Sequence, residues 1–254
     1  MMLRILAVLL LLPTLLWASE EEVVLGLSQD RVAITARFDG SDILIFGAVK
    51  RETAIPETPL DVVIAIAGPA STVTVRKKER KFGIWVNAAS VNVGWVPSFY
   101  AVATSAPFEN VLNAEEDQRH NISVERSIHA IVTPGMSENA GEFTKALLRV
   151  QRDKGVYQNL EGAVQVDQQT LFRASIALPS NLTEGDYSTR IFLAREGQVI
   201  SSFETTIEVQ KVGLERFLFN LAQEQALLYG LLSLALAVIA GWGASAVFQL
   251  IRQG

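Results

Sequence analysis

From Ala226 to Ile251 the chain carries no charged residue. Such a run exceeds the ~20 residues that an α-helix needs to cross ~30 Å of hydrocarbon. Lipid offers no hydrogen bonds to a backbone, so a lone apolar segment can satisfy its amides there only as a helix. The run therefore predicts one C-terminal membrane span over 226–251, with a short tail over 252–254. Arg252 beyond it agrees with a cytoplasmic C-terminus.

The other end reads "MMLRILAVLLLLPTLLWASEEE". Arg4 supplies a positive start, Ile5 to Leu16 an apolar core of secretory length, and Ala18 a small residue at a cleavage point, which predicts a signal peptide over 1–18. An uncleaved anchor is the alternative, because Leu16 is not the ideal residue before the cut. The expected topology is an inner-membrane protein, single-pass, with a periplasmic N-terminal domain. Cysteine is absent. Disulfides, thiol catalysis and thiolate metal sites are thereby excluded, and stability must come from packing.

The expected exported part divides into a first β-rich region over 19–109, a connecting region over 110–158, and a second β-rich region over 159–211. A juxtamembrane amphipathic helix follows over 212–225. About 200 residues of this kind can form one large sandwich or two smaller ones. "RVAITARFDGSDILIFGAV" alternates Val32, Ile34 and Phe38 with polar residues and breaks at Asp39-Gly40, which predicts a hairpin. "LDVVIAIAGPA" is a continuous apolar run closed by Gly68-Pro69, as in a strand buried on both faces. "STVTVRKKERKFGIWVN" gives two more strands with the basic residues between them, and "PSFYAVATSAP" another, stopped by Pro107.

In "NAGEFTKALLRVQRDKG", Phe143, Ala146, Leu147 and Val150 fall at helical spacing; Asn139 and Glu142 offer a capping box and Gly155 a stop. Strands resume in "GAVQVDQQTLFRASIAL" and in "GDYSTRIFLAREGQVISSFETTIEVQ", where Glu196-Gly197 marks a hairpin. Tyr187 is either the tyrosine corner of a Greek-key sandwich or a partly buried strand tyrosine. The expected class is mainly β: an Ig-like, Greek-key sandwich region with one inserted helix and one membrane helix. In "GLERFLFNLAQEQ", Leu214, Phe217, Leu218 and Leu221 share one helical face, as in a helix at the membrane surface or the first turns of a longer one.

Candidate chemistry concentrates in three places. Arg76, Lys77, Lys78, Arg80 and Lys81 form the densest charge cluster of the chain. As a functional feature they are a candidate anion-binding patch, for a small molecule, lipid head groups or an acidic partner; as a structural one they are a charged sheet edge. Trp95, Phe99 and Tyr100 are candidate interface aromatics, with Pro97 implying an irregular segment, whereas Trp85 reads as a core tryptophan of a strand. Ser233, Ala237, Gly241 and Ser245 recur every four residues along the span, a small-residue stripe suited to close helix packing.

His120 and His129 are the only histidines. With so few converging ligands a metal site is not expected, and the "EEDQRH" carboxylates read as a surface cluster. No His-Glu-x-x-His, Walker A or Gly-x-Ser-x-Gly motif occurs, so neither an enzyme nor a cofactor is expected. The net charge of −5 also argues against a nucleic-acid partner.

The segments "FGAVKRETAIPETPLDVVIAIAGPASTVTVRKKERKFGIWVN" and "VPSFYAVATSAPFENVL" resemble an uncharacterised family of alphaproteobacterial transmembrane proteins. The resemblance covers nearly the whole chain and is strongest from Phe46 to Leu112. It implies a signal peptide, an exported domain and one C-terminal span, with a partner that is a transporter of the sulfite-exporter type. It brings no catalytic residues. The expected function is a membrane-anchored periplasmic accessory or scaffolding protein beside another membrane protein, or self-associated through its span. The alternative is a periplasmic binding module for an anionic small molecule or lipid head group.

Overall fold

The computed structural model describes residues 21–29, 31–34, 38–128, 140–212, 218 and 221–253, with backbone alone for 140 and 245–253. The expected signal peptide, Asn139, His129 and half of the expected juxtamembrane helix, residues 213–217, 219 and 220, lie outside the described residues.

Alternation decides one sheet. Strand β3 (Ser41–Lys50) buries Ile43, Ile45 and Val49, and β10 (Leu171–Leu178) buries Phe172, Ala174, Ile176 and Leu178, with exposed residues between them. This is the period-two pattern of a sheet with one face on the core. With β1 (Glu22–Leu27) and β9 (Gln165–Asp167) they form a four-stranded sheet in the order β1-β3-β10-β9.

The second sheet is built on a run buried on both faces, as its sequence predicts: Val62 to Ile66 of β4 (Asp61–Ala67) are all inaccessible. Its neighbours are β7 (Tyr100–Thr104), β8 (Tyr157–Leu160), β11 (Gly185–Arg195), β12 (Gln198–Lys211) and β2 (Arg31–Ile34). The order is β2-β12-β11-β4-β7-β8. Each sheet draws strands from both β-rich regions of the sequence, and one apolar core joins them.

The predicted hairpin at Asp39-Gly40 does not form. Strand β2 pairs in parallel with β12, whereas β3 pairs with β1 and β10, so the chain crosses between sheets at this point. Gly40, at φ +112° and with no room for a Cβ, which would lie 2.8 Å from the Leu178 carbonyl oxygen, makes the crossing. The hairpin expected at Glu196-Gly197 is present between β11 and β12.

Among the described residues, three helices stand between β7 and β8 where the sequence announced one. The amphipathic helix is α3 (Ala140–Asp153), which buries Phe143, Leu147 and Leu148; Gly155 follows at φ +70°. The others are α1 (Phe108–Val111) and α2 (Ala114–His120). Asn113 caps α2 by accepting from the Glu116 amide at 2.8 Å, an Asn-x-x-Glu start that the sequence displays. Tyr187 donates to the Thr183 carbonyl at 2.8 Å, so it is a tyrosine corner. The C-terminal helix α4 (Ala226–Gln253) contains a span-length apolar segment, Ala226–Ala244, none of it buried within the chain.

Candidate functional site

The ladder of β4 and β7 does not stop at the edge of its sheet. Gly68 N donates to Phe99 O and Ser98 N to Pro69 O, both at or below 3.0 Å, and carry the pairing onward into β5 (Ala70–Lys81) and β6 (Ile84–Pro97). These two strands form a separate ribbon, an arm that leaves the sandwich. Gly68 at its root has no room for a side chain, because a Cβ there would lie 2.9 Å from the Tyr187 ring.

Near its root the arm is part of the core. Val91, Val93 and Val96 are buried, and α3 packs against both strands. Beyond Val75 nothing of β5 is buried, and the outer half of the arm stands in solvent. The basic residues lie here, within the strand rather than in a turn between strands as the sequence suggested. Among the described residues, Arg76, Lys77 and Lys78 meet no carboxylate at ion-pair distance. Lys81 stands 4.0 Å from Glu79, both largely exposed, and Arg80 Nε donates to Gly83 O at 3.4 Å.

The aromatic predictions are corrected. Trp85 is not a core residue: it is 69 % exposed, on the outer arm opposite Arg80. Phe99 and Tyr100 are not interface residues, because both are buried where β7 enters the sheet. Trp95 alone of the three proposed aromatics is exposed, at 67 % and with φ +52°, in a bulge where Ser71 pairs with Val96 and Val73 with Val93.

Tyr100 belongs instead to a polar knot that joins α2 to the six-stranded sheet. Its hydroxyl donates to Ile122 O at 2.8 Å, while Arg190 donates to the carbonyls of His120 at 2.8 Å and Asn121 at 3.2 Å. Asn121 sits in the left-handed region at φ 50° as the C-cap of α2, so Arg190 secures the carbonyls that the helix leaves free. Asp117 accepts from the amides of Ile122 and Ser123 and from Arg126 Nε. The His120 ring packs at a tilt of 57° against Phe192, centroids 5.4 Å apart, with Nε2 3.5 Å from Glu116. The "EEDQRH" carboxylates are therefore not a loose surface cluster: Glu116 and Asp117 are buried and structural.

Burial pushes the hydroxyl of Tyr100 up from its ordinary range, with the Arg190 charge opposing, and burial likewise raises Tyr157 and Tyr187. Their bonds to main-chain carbonyls mark these phenols as fasteners of the fold.

The membrane stripe is uncovered where it is described. Ser233, Ala237 and Gly241 are exposed on α4, and Ser233 Oγ donates to its own helix at Tyr229 O. The Ser245 side chain lies outside the described residues. Gly230, Gly241 and Gly243 have open space where a Cβ would stand.

A β-sandwich joined to one apolar helix of spanning length defines a membrane protein with a single C-terminal candidate span. The chain belongs to the family described as "Putative transmembrane protein (Alph_Pro_TM)", whose model matches residues 22–250. No curated protein matches it.

Proposed function

We propose that this protein is a membrane-anchored periplasmic accessory or scaffolding subunit, held beside another inner-membrane protein by its span. One observation carries this reading: the solvent-exposed arm and the strand that precedes the apolar helix leave the same end of the sandwich. Strand β12 ends at Lys211, and α4 is the next long element of the chain. Val209 pairs with Gly185, and Ser188 three residues further along β11 pairs with Ala67, the last residue before the arm. The arm and the end of β12 thus leave the sandwich on the same side.

A transporter of the sulfite-exporter type is the partner that the family resemblance suggested, and an integral membrane partner suits the bare face of α4. The small-residue stripe would let a neighbouring helix approach closely. Replacing Gly241 by Ile is expected to abolish association in a membrane two-hybrid assay, and an unchanged signal counts against the span as the contact. The alternative, an anion-binding module, gains from Arg76, Lys77 and Lys78, which meet no carboxylate among the described residues. Their placement on an open ribbon fits an extended anionic surface better than an enclosed small molecule.

A further inference from the structure

The tip of the arm has a sequence that folding alone does not explain. Phe82 and Gly83 form the two-residue turn between β5 and β6, at φ 51° and 86°. Hairpin turns with two positive φ values favour Asn-Gly or Asp-Gly, and a bulky side chain at the first position is an outlier. Phe82 gains no packing in return, being 106 % exposed, and Gly83 has no neighbour within 4 Å of a Cβ position. The turn at Glu196-Gly197 makes the contrast: a polar residue takes φ 50°, and the glycine lies against Asn113. Backbone strain kept for an exposed aromatic points to a use outside the fold.

The surroundings of the tip indicate the use. Arg80 pairs with Trp85 and Lys81 with Ile84. Directly paired residues share a face and successive ones alternate, so the first pair lies on one face of the ribbon and the second on the other. Ile84 is 65 % exposed and Trp85 69 %. A protein surface engages one face of a ribbon, whereas here both faces carry cations behind a common apolar end. A bilayer surface has the matching layers: anionic phosphates outside, hydrocarbon within. Tryptophan settles at the head-group level, and long cationic side chains keep their charge among the phosphates while their stems lie in apolar surroundings.

The arm leaves the sandwich at the end where β12 finishes. Beyond Val75, β5 runs on to Lys81, and at ~3.3 Å per residue this free part of the arm extends about 20 Å from the sandwich. We propose that the β5–β6 arm is a second membrane contact. Phe82, Ile84 and Trp85 insert into the interface of an anionic phospholipid bilayer, the one that holds α4, and Arg76, Lys77 and Lys78 pair with its phosphates. This rests on reading the arm as a working surface, and it makes the protein two-footed on its membrane, with one foot permanent and one dependent on lipid charge.

The test uses the full chain in nanodiscs of phosphatidylcholine alone or mixed with phosphatidylglycerol. Because the sequence lacks cysteine, Ile84→Cys and Asn92→Cys each give one site for an environment-sensitive fluorophore, on exposed positions of the tip and the shaft. In discs with phosphatidylglycerol the tip probe is expected to shift to the blue and to be quenched by nitroxide-bearing lipid, while the shaft probe does neither. The shift should vanish in the triple Arg76→Glu, Lys77→Glu, Lys78→Glu variant and weaken in about 1 M salt, where the Debye length falls to about 3 Å. A tip probe that stays in water in both kinds of disc overturns the proposal. So does a shift that appears only when other membrane proteins are added, which would make the arm a protein-docking element. The discs hold no partner protein, so the result does not depend on whether an accessory complex exists.

Discussion

Arg195 and Glu21, 174 positions apart, meet at the end of the sandwich opposite the one where β12 finishes, with Nη2 3.0 Å from Oε1. Arg51 Nε donates to the same oxygen at 2.7 Å, and all three side chains are almost wholly removed from solvent. The guanidiniums also donate to the carbonyls of Thr58 and Gln169. Glu21 leads into β1, Arg51 follows β3, and Arg195 ends β11, so one carboxylate ties the two sheets together.

Removing that carboxylate leaves two buried cations without a counter-charge. Glu21→Ala is expected to lower stability by about 3–5 kcal/mol. Glu22→Ala breaks an exposed pair with Lys50 at 3.5 Å and is expected to cost less than about 1 kcal/mol. Urea unfolding of the detergent-purified protein measures both, and equal effects would contradict the account.

Asp117 holds the segment after α2 through two amides and one arginine. Asp117→Ala should cost about 2–3 kcal/mol, since bonds to a charged acceptor are stronger than neutral ones. Hydrogen exchange should quicken first at Ile122 and Ser123, whose donors lose their acceptor. A uniform quickening over the whole sandwich would argue that the knot is not a local fastener.

Tyr187→Phe removes only the hydroxyl bonded to Thr183 and leaves the ring, 6.1 Å from that of Phe99, in place. A loss of about 1 kcal/mol is expected in the same unfolding assay. An unchanged midpoint would show that the tyrosine corner contributes packing alone.

The phenols of Tyr100, Tyr157 and Tyr187 are all raised by burial. Because the folded values lie above the unfolded one, their contribution is complete below about pH 10 and is lost as pH rises beyond it, through the folded values, by about 1.4 kcal/mol per unit for each group. Alkaline titration should therefore show tyrosinate absorbance appearing together with loss of sheet signal. In a Tyr229→Phe background, which leaves only the three buried phenols, tyrosinate formed at about pH 10 with the fold intact would contradict this.

Patterns local in sequence were legible. The run from Val62 to Ile66, the turn at Glu196-Gly197 and the spacing of Phe143 and Leu147 each carry their own period or turn chemistry, and each appears in the structure. Choice of partner is not local, so β2 and β3 read as a hairpin although the chain separates them into different sheets. The same gap misplaced the aromatics. Strand alternation at Trp85 cannot tell a strand lying over a core from one that has run past it, and Phe99 and Tyr100 fall just inside the point where the ribbon rejoins the sheet. Glu21, Arg51 and Arg195 have no common motif, so only folding brings them together.

The central claim is that the span seats this protein beside a membrane partner. The most direct measurement is mass spectrometry of what co-purifies with the tagged full-length chain from native membranes in mild detergent, set against a version whose α4 is replaced by an unrelated span. The account predicts a single integral membrane protein that follows the native chain and not the replacement. The same recovery with both versions, or none with either, would contradict it.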